Sequence, residues 1–242
     1  MPTIRLGLLT LPLAGLLVTW ATVASSAFYN FSGAAVVGPK EVARASTSLG
    51  YFLSQFVGYL LGLTLLTVGV FALTVYLSEI RRERWTLVAM VLSVLGIGLL
   101  LSHHGLRTYA LPVLGKAYLD GVQNAVVLAN SILLDGLTRS VFYAAFLLYS
   151  AGFILFGFGV WGSGALPKWA GVLLALHAPL LTAPIPDLFS IVGALLLVIG
   201  GGWIMFAVLR RPPSREAGAG PEPRESEPRA RAATRLRRTG TE

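Results

Sequence analysis

The chain has no cysteine and only three histidines in its 242 residues. The missing thiol excludes disulfides, thiolate nucleophiles, iron–sulfur ligation and cysteine-type zinc sites together. Charge is scarce as well: 12% of residues are charged, whereas an ordinary soluble domain carries about a quarter. Walker A loops, nucleophile elbows, dinucleotide fingerprints and paired carboxylates inside an apolar run are all absent from the sequence, so nothing points to the reactions those patterns serve. The 19 Lys and Arg outnumber the 11 Asp and Glu, a formal +8. They are scattered rather than gathered in one folded patch, which argues against nucleic acid as a partner.

Apolar sequence takes the place of charge. Hydrophobic residues make up 55% of the chain and the mean hydropathy is +0.73, the composition of an integral membrane protein. A bilayer core about 30 Å thick needs about 20 apolar residues of helix, because lipid offers no partners for backbone N–H and C=O groups. Six runs meet or approach that length: 6–24, 51–77, 85–102, 140–161, 169–183 and 188–209, and none contains Asp, Glu, Lys or Arg. The expected fold is therefore an all-α polytopic transmembrane bundle over 1–209. The fifth run is short and the second long, which tilt or local thinning absorbs.

Basic residues in short loops orient such a bundle. With six spans Arg5, the Arg81-Arg82-Glu83-Arg84 loop, Lys168 and Arg210-Arg211 share one side. That side is then cytoplasmic and holds both termini. The first run competes with a second reading, since Arg5, the apolar residues 6–20 and the small residues that follow, with Ser25 and Ala27 at suitable spacing, also describe a signal peptide cleaved after about residue 27. Residues 122–134 are too short to cross and read as an amphipathic helix on the outer side, with Asn124, Ser131 and Asp135 opposite its apolar face. The Pro-, Gly-, Arg- and Glu-rich residues 210–242 read as a disordered basic cytoplasmic tail. Asn30-Phe31-Ser32 matches a glycosylation sequon, a triplet common by chance.

His103, His104 and His177 are the cofactor-binding candidates, since two histidines on different helices can grip a haem. Depth opposes that use: His177 lies about 10 Å below the boundary at which His103 and His104 stand, counted at 1.5 Å per residue. No catalytic residue, metal ligand set or cofactor is assigned. His177 is read instead as a neutral imidazole hydrogen-bonded to a neighbouring helix. Gln55, Thr64, Thr67 and Thr74 read as hydrogen-bonding groups of the second span, and Gly58, Gly62, Gly152, Gly157 and Gly159 as points of close helix approach.

Between the fourth and fifth runs stands Ser163-Gly164-Ala165-Leu166-Pro167-Lys168-Trp169-Ala170-Gly171. Gly164 suits a positive φ after a helix end, and Pro167 the first turn of the next helix. This pattern resembles a group of uncharacterised bacterial six-span membrane proteins that share a Ser-Gly-x-Leu-Pro turn between spans four and five. The resemblance implies a helical bundle in the bacterial inner membrane and supplies no reaction. The reading that follows is a non-enzymatic bundle whose partners are the lipid bilayer and a bound lipid, apolar small molecule, membrane protein or second copy of itself. A small-molecule transporter is the alternative, and a haem- or metal-binding protein a third.

Overall fold

A computed structural model describes residues 2–28, 37–80, 84–182 and 187–210, all within one unit of the chain. All regular structure among them is helical: α1 (Pro2–Phe28), α2 (Pro39–Thr47), α3 (Leu49–Leu53), a π-helical segment (Ser54–Leu61), α4 (Gly62–Ile80), α5 (Arg84–Leu119), α6 (Ala125–Leu134), α7 (Gly136–Gly162), α8 (Lys168–Thr182) and α9 (Asp187–Leu209). Five stretches are long and apolar enough to cross a membrane: Thr3–Ser25, Leu49–Ile80, Arg84–Leu119, Ala125–Gly162 and Leu188–Leu209. With 15 residues, α8 falls short of that length.

Local chemistry sets the helix ends. Before α2, the Glu41 carboxylate accepts the Gly38 N–H at 2.5 Å and Pro39 stands at the first turn. The Asp135 carboxylate accepts the Gly136 N–H at 2.8 Å and opens α7. Between α7 and α8 the Ser163 hydroxyl donates to the Val160 carbonyl at 2.7 Å and accepts the N–H groups of Ala165 and Leu166 at 3.2 Å. Gly164 takes φ +62°, so the turn expected between these helices is built on one hydroxyl and one glycine.

The long helices form a closed ring in chain order, α1–α4–α5–α7–α8–α9 and back to α1. Leu11, Leu66, Leu73, Ile97, Tyr149, Phe153, Phe156, Leu174 and Leu197 fill its centre. Glycines let the neighbours close. A Cβ on Gly171 would stand 2.6 Å from the Gly157 carbonyl across the α7/α8 seam, and one on Gly96 would run into the Tyr149 backbone across α5/α7. Comparable contacts join α1 to α4 at Gly69 and Leu11, α1 to α9 at Gly15 and Val198, and α8 to α9 at Gly193 and Leu181. No described glycine makes such a contact between α4 and α5.

Several elements differ from the sequence reading. The helix of the third run does not stop at Ser102 but continues to Leu119, through Arg107 and Pro112. Polar residues there end the apolar run without ending the helix. Residues 37–50, read as a connection, contain α2, which packs on that extension, and Val42, Ala45, Tyr51, Leu111, Ala129 and Leu133 make a second core. The Asn130 amide ties it together, accepting the Val37 N–H at 2.8 Å and donating to the Val37 carbonyl at 2.9 Å. The helix at 122–134 begins only at Ala125, and its exposed side carries Val127, Leu128 and Ile132 beside Ser131. It is apolar nearly all round rather than amphipathic. The sequon at Asn30, the Arg81-Arg82-Glu83 loop and the tail from Arg211 onward lie outside the described residues.

If the Gly157–Gly171 contact holds the α7/α8 seam, Gly171→Val forces the helices apart at an overpacking cost of about 1–3 kcal/mol. The expected outcome is a clear drop in melting temperature in detergent. Gly98→Val, where a Cβ meets nothing within 4 Å, leaves it nearly unchanged.

Candidate functional site

The three candidate histidines fall into two separate places. His177, on α8, is fully buried. Its Nδ1 lies 2.5 Å from the Leu174 carbonyl and its Nε2 2.9 Å from the Tyr149 hydroxyl on α7. A carbonyl only accepts, so Nδ1 carries the proton, and Nε2 then accepts from the tyrosine O–H. The Phe153 ring stands edge-on to the imidazole at 4.5 Å between centroids. Both ring nitrogens are occupied, leaving none for iron or another metal. The interhelical partner expected for His177 is Tyr149, which the sequence did not single out.

His103 and His104 lie about two helical turns away. Gly96 of α5 meets Tyr149 of α7, whereas His103 meets Phe142 of α7 at 5.0 Å between ring centroids. Seven residues on each helix separate the two levels, about 10 Å. The three histidines cannot share a cofactor, and among the described residues no group of three His, Asp or Glu is placed to hold a metal ion.

The pair does gather polar neighbours. His104 stacks on Tyr59 at 4.1 Å between ring centroids, and its Nδ1 lies 3.3 Å from the Gln55 side-chain oxygen. Gln55 and Tyr59 both belong to the π-helical segment, a distortion found frequently at functional sites. The Tyr59 hydroxyl in turn reaches Thr22 of α1 at 3.3 Å. On the next turn of α5 the Tyr51 hydroxyl donates to the Arg107 carbonyl at 2.7 Å, fixing α3 against α5. His103 is different: it is 8% exposed, and its Nδ1 is buried with no hydrogen-bond partner.

A third place was not signalled by any motif. Leu77 of α4, Trp85 and Thr86 of α5, and Leu155, Phe156, Phe158 and Gly159 of α7 line a crevice of about 280 Å³ at the seam that lacks a glycine contact. Its side chains are aliphatic and aromatic, with the Thr86 hydroxyl and the Trp85 indole N–H as their polar groups. Comparison with family models, curated proteins and solved structures finds no match.

The Tyr149–His177 bond predicts a coupling energy. Tyr149→Phe and His177→Leu should each destabilise the folded protein in detergent, and the double variant should cost less than their sum. Bonds of this kind in membranes contribute about 0.6 kcal/mol on average and up to about 1.7, so a thermal double-mutant cycle should return a coupling in that range.

Proposed function

We propose that the chain is a six-span bundle of the bacterial inner membrane with both termini cytoplasmic, and that it acts without catalysis by holding a lipid acyl chain in the α4/α5/α7 crevice. The crevice carries this reading. Its volume lies just under the range of about 300–1,000 Å³ usual for small-molecule sites, which suits a slender chain better than a bulky substrate. Of its seven lining residues only Thr86 and Trp85 carry a polar side-chain group. Trp85 and Phe158 flank its mouth and are largely exposed, as residues facing lipid are.

Six spans are supported by the place of α8, which fills the gap between α7 and α9 in the ring although it has only 15 residues. The bilayer can thin locally around it. The Ser163–Pro167 turn, with the geometry that its pattern requires, supports kinship with the uncharacterised six-span proteins. In this orientation Arg84, Lys168 and Arg210 lie on the cytoplasmic side. With Arg84 at the inner boundary, about 20 residues of α5 fill the hydrocarbon, and α2, the rest of α5 and α6 form an outer lobe.

Gly159 provides the test. A Cβ there would meet only Leu77, at an ordinary 3.5 Å, so Gly159→Ala fits, while Gly159→Leu projects into the crevice. Lipid retained through detergent purification, counted by native mass spectrometry, should be unchanged in the alanine variant. It should fall several-fold in the leucine variant, with the melting curve preserved. Wild-type lipid content in a folded Gly159→Leu protein would remove the crevice as a binding site.

A further inference from the structure

We propose that His103 and Arg107, with His104 packed beside them, form an anion site for phosphoryl oxygens at the outer end of the membrane-spanning part of α5. The first observation is the His103 nitrogen. His103 is more than nine-tenths buried and its Nδ1 has no partner. A buried polar atom left unpaired costs about 1–3 kcal/mol, so a group that bonds it gains free energy on entering. Ring nitrogens on neighbouring faces are already used: His104 Nδ1 is held by Gln55, and the His104 ring is covered by Tyr59. Phe142 and His104, the latter held by the π-helical segment, pack against the His103 ring, and the His103 Nδ1 is the position left without a partner.

Charge decides what kind of group enters. Arg107 lies one turn beyond His103 on the same helix and is half-buried. The elements around it, α2 and the stretch from the end of α5 to the start of α7, carry Lys40, Arg44, Arg107, Lys116 and Arg139 against Glu41, Asp120 and Asp135. Those three carboxylates are engaged locally: Glu41 accepts the Gly38 N–H, Asp120 pairs with Lys116 at 3.2 Å, and Asp135 accepts the Gly136 N–H. Together these elements carry more positive than negative side chains, with Arg107 the one beside His103 on α5, and guanidinium and imidazole N–H groups are phosphate donors.

Depth points to the same chemistry. With Arg84 at the inner boundary, the 19 residues to His103 rise about 28 Å, close to the thickness of the hydrocarbon core. That is the level of the outer-leaflet phosphates. The phosphoryl group comes either from a lipid headgroup or from free phosphate. This site is separate from the crevice, and its test is independent of Gly159.

The full-length protein in detergent is titrated with dioleoyl phosphatidylglycerol, with dioleoylglycerol, which has the same chains without phosphate, and with inorganic phosphate, and read by native mass spectrometry and thermal shift. Phosphatidylglycerol should bind at least tenfold more tightly than dioleoylglycerol. His103→Phe should abolish that preference, and His103→Gln should retain part of it. Should His103→Phe fail to fold, Arg107→Met, on a half-exposed position, serves in its place and should also abolish the preference. Binding of inorganic phosphate with similar affinity would assign the site to a free anion, and its failure to bind would assign the site to a headgroup. Equal binding of the two lipids together with no response to inorganic phosphate, or a preference that survives both variants, would overturn the proposal.

Discussion

How closely two helical backbones approach decides most of this molecule. Between helices in lipid there is little hydrophobic drive to association, so contact area and hydrogen bonds must hold them. Glycine supplies that area by letting one helix lie directly on the backbone of another, as Gly96 does on Tyr149 and Gly171 on Gly157. Such contacts occur at five of the six seams of the ring. At the sixth, between α4 and α5, no described glycine makes such a contact, and that is where the crevice opens. The crevice arises from the absence of a contact rather than from a motif.

The polar groups divide by the same logic of satisfaction. His177 has a carbonyl on one nitrogen and a tyrosine hydroxyl on the other, which makes it a neutral clasp between α7 and α8. Thr22, Thr67, Thr74 and Thr182 return their hydroxyls to carbonyls four residues back on their own helices. Against that background the unpartnered nitrogen of His103 is informative, because most buried polar side chains of the spans have a partner. Ser93 and Ser150 also bury unpartnered hydroxyls, but these lie in the tight α5/α7 packing, where Gly152 abuts Ser93 and leaves no room for a ligand.

Much of the helical framework was legible because hydropathy and the bilayer constraint act on the same residues. The run 188–209 coincides with its helical stretch, and 51–77 lies inside one only slightly longer, Leu49–Ile80. The turn at Ser163 was legible from its own chemistry. The extension of α5 was not: His103, Arg107 and Pro112 lower local hydropathy, whereas the helix there is held by packing on α6 and on α2, which is distant in sequence. The role of Asn130 was hidden for the same reason, since its partner is 93 residues away at Val37. Nothing in residues 54–61 announces a π helix. The pairing of Tyr149 with His177 needed the register of α7 against α8, which the Gly157–Gly171 contact sets and composition does not.

The open α4/α5 seam is tested most directly by comparing two buried positions near the same end of the ring. Thr86 lines the crevice, while Val160 is fully buried beside Gly171 on a closed seam. Because the chain has no cysteine of its own, Thr86→Cys and Val160→Cys each present a single thiol to a membrane-soluble maleimide. The account predicts that the thiol at 86 is alkylated in the folded protein in lipid, and the thiol at 160 only after denaturation. Equal protection of both thiols in the folded protein would contradict it.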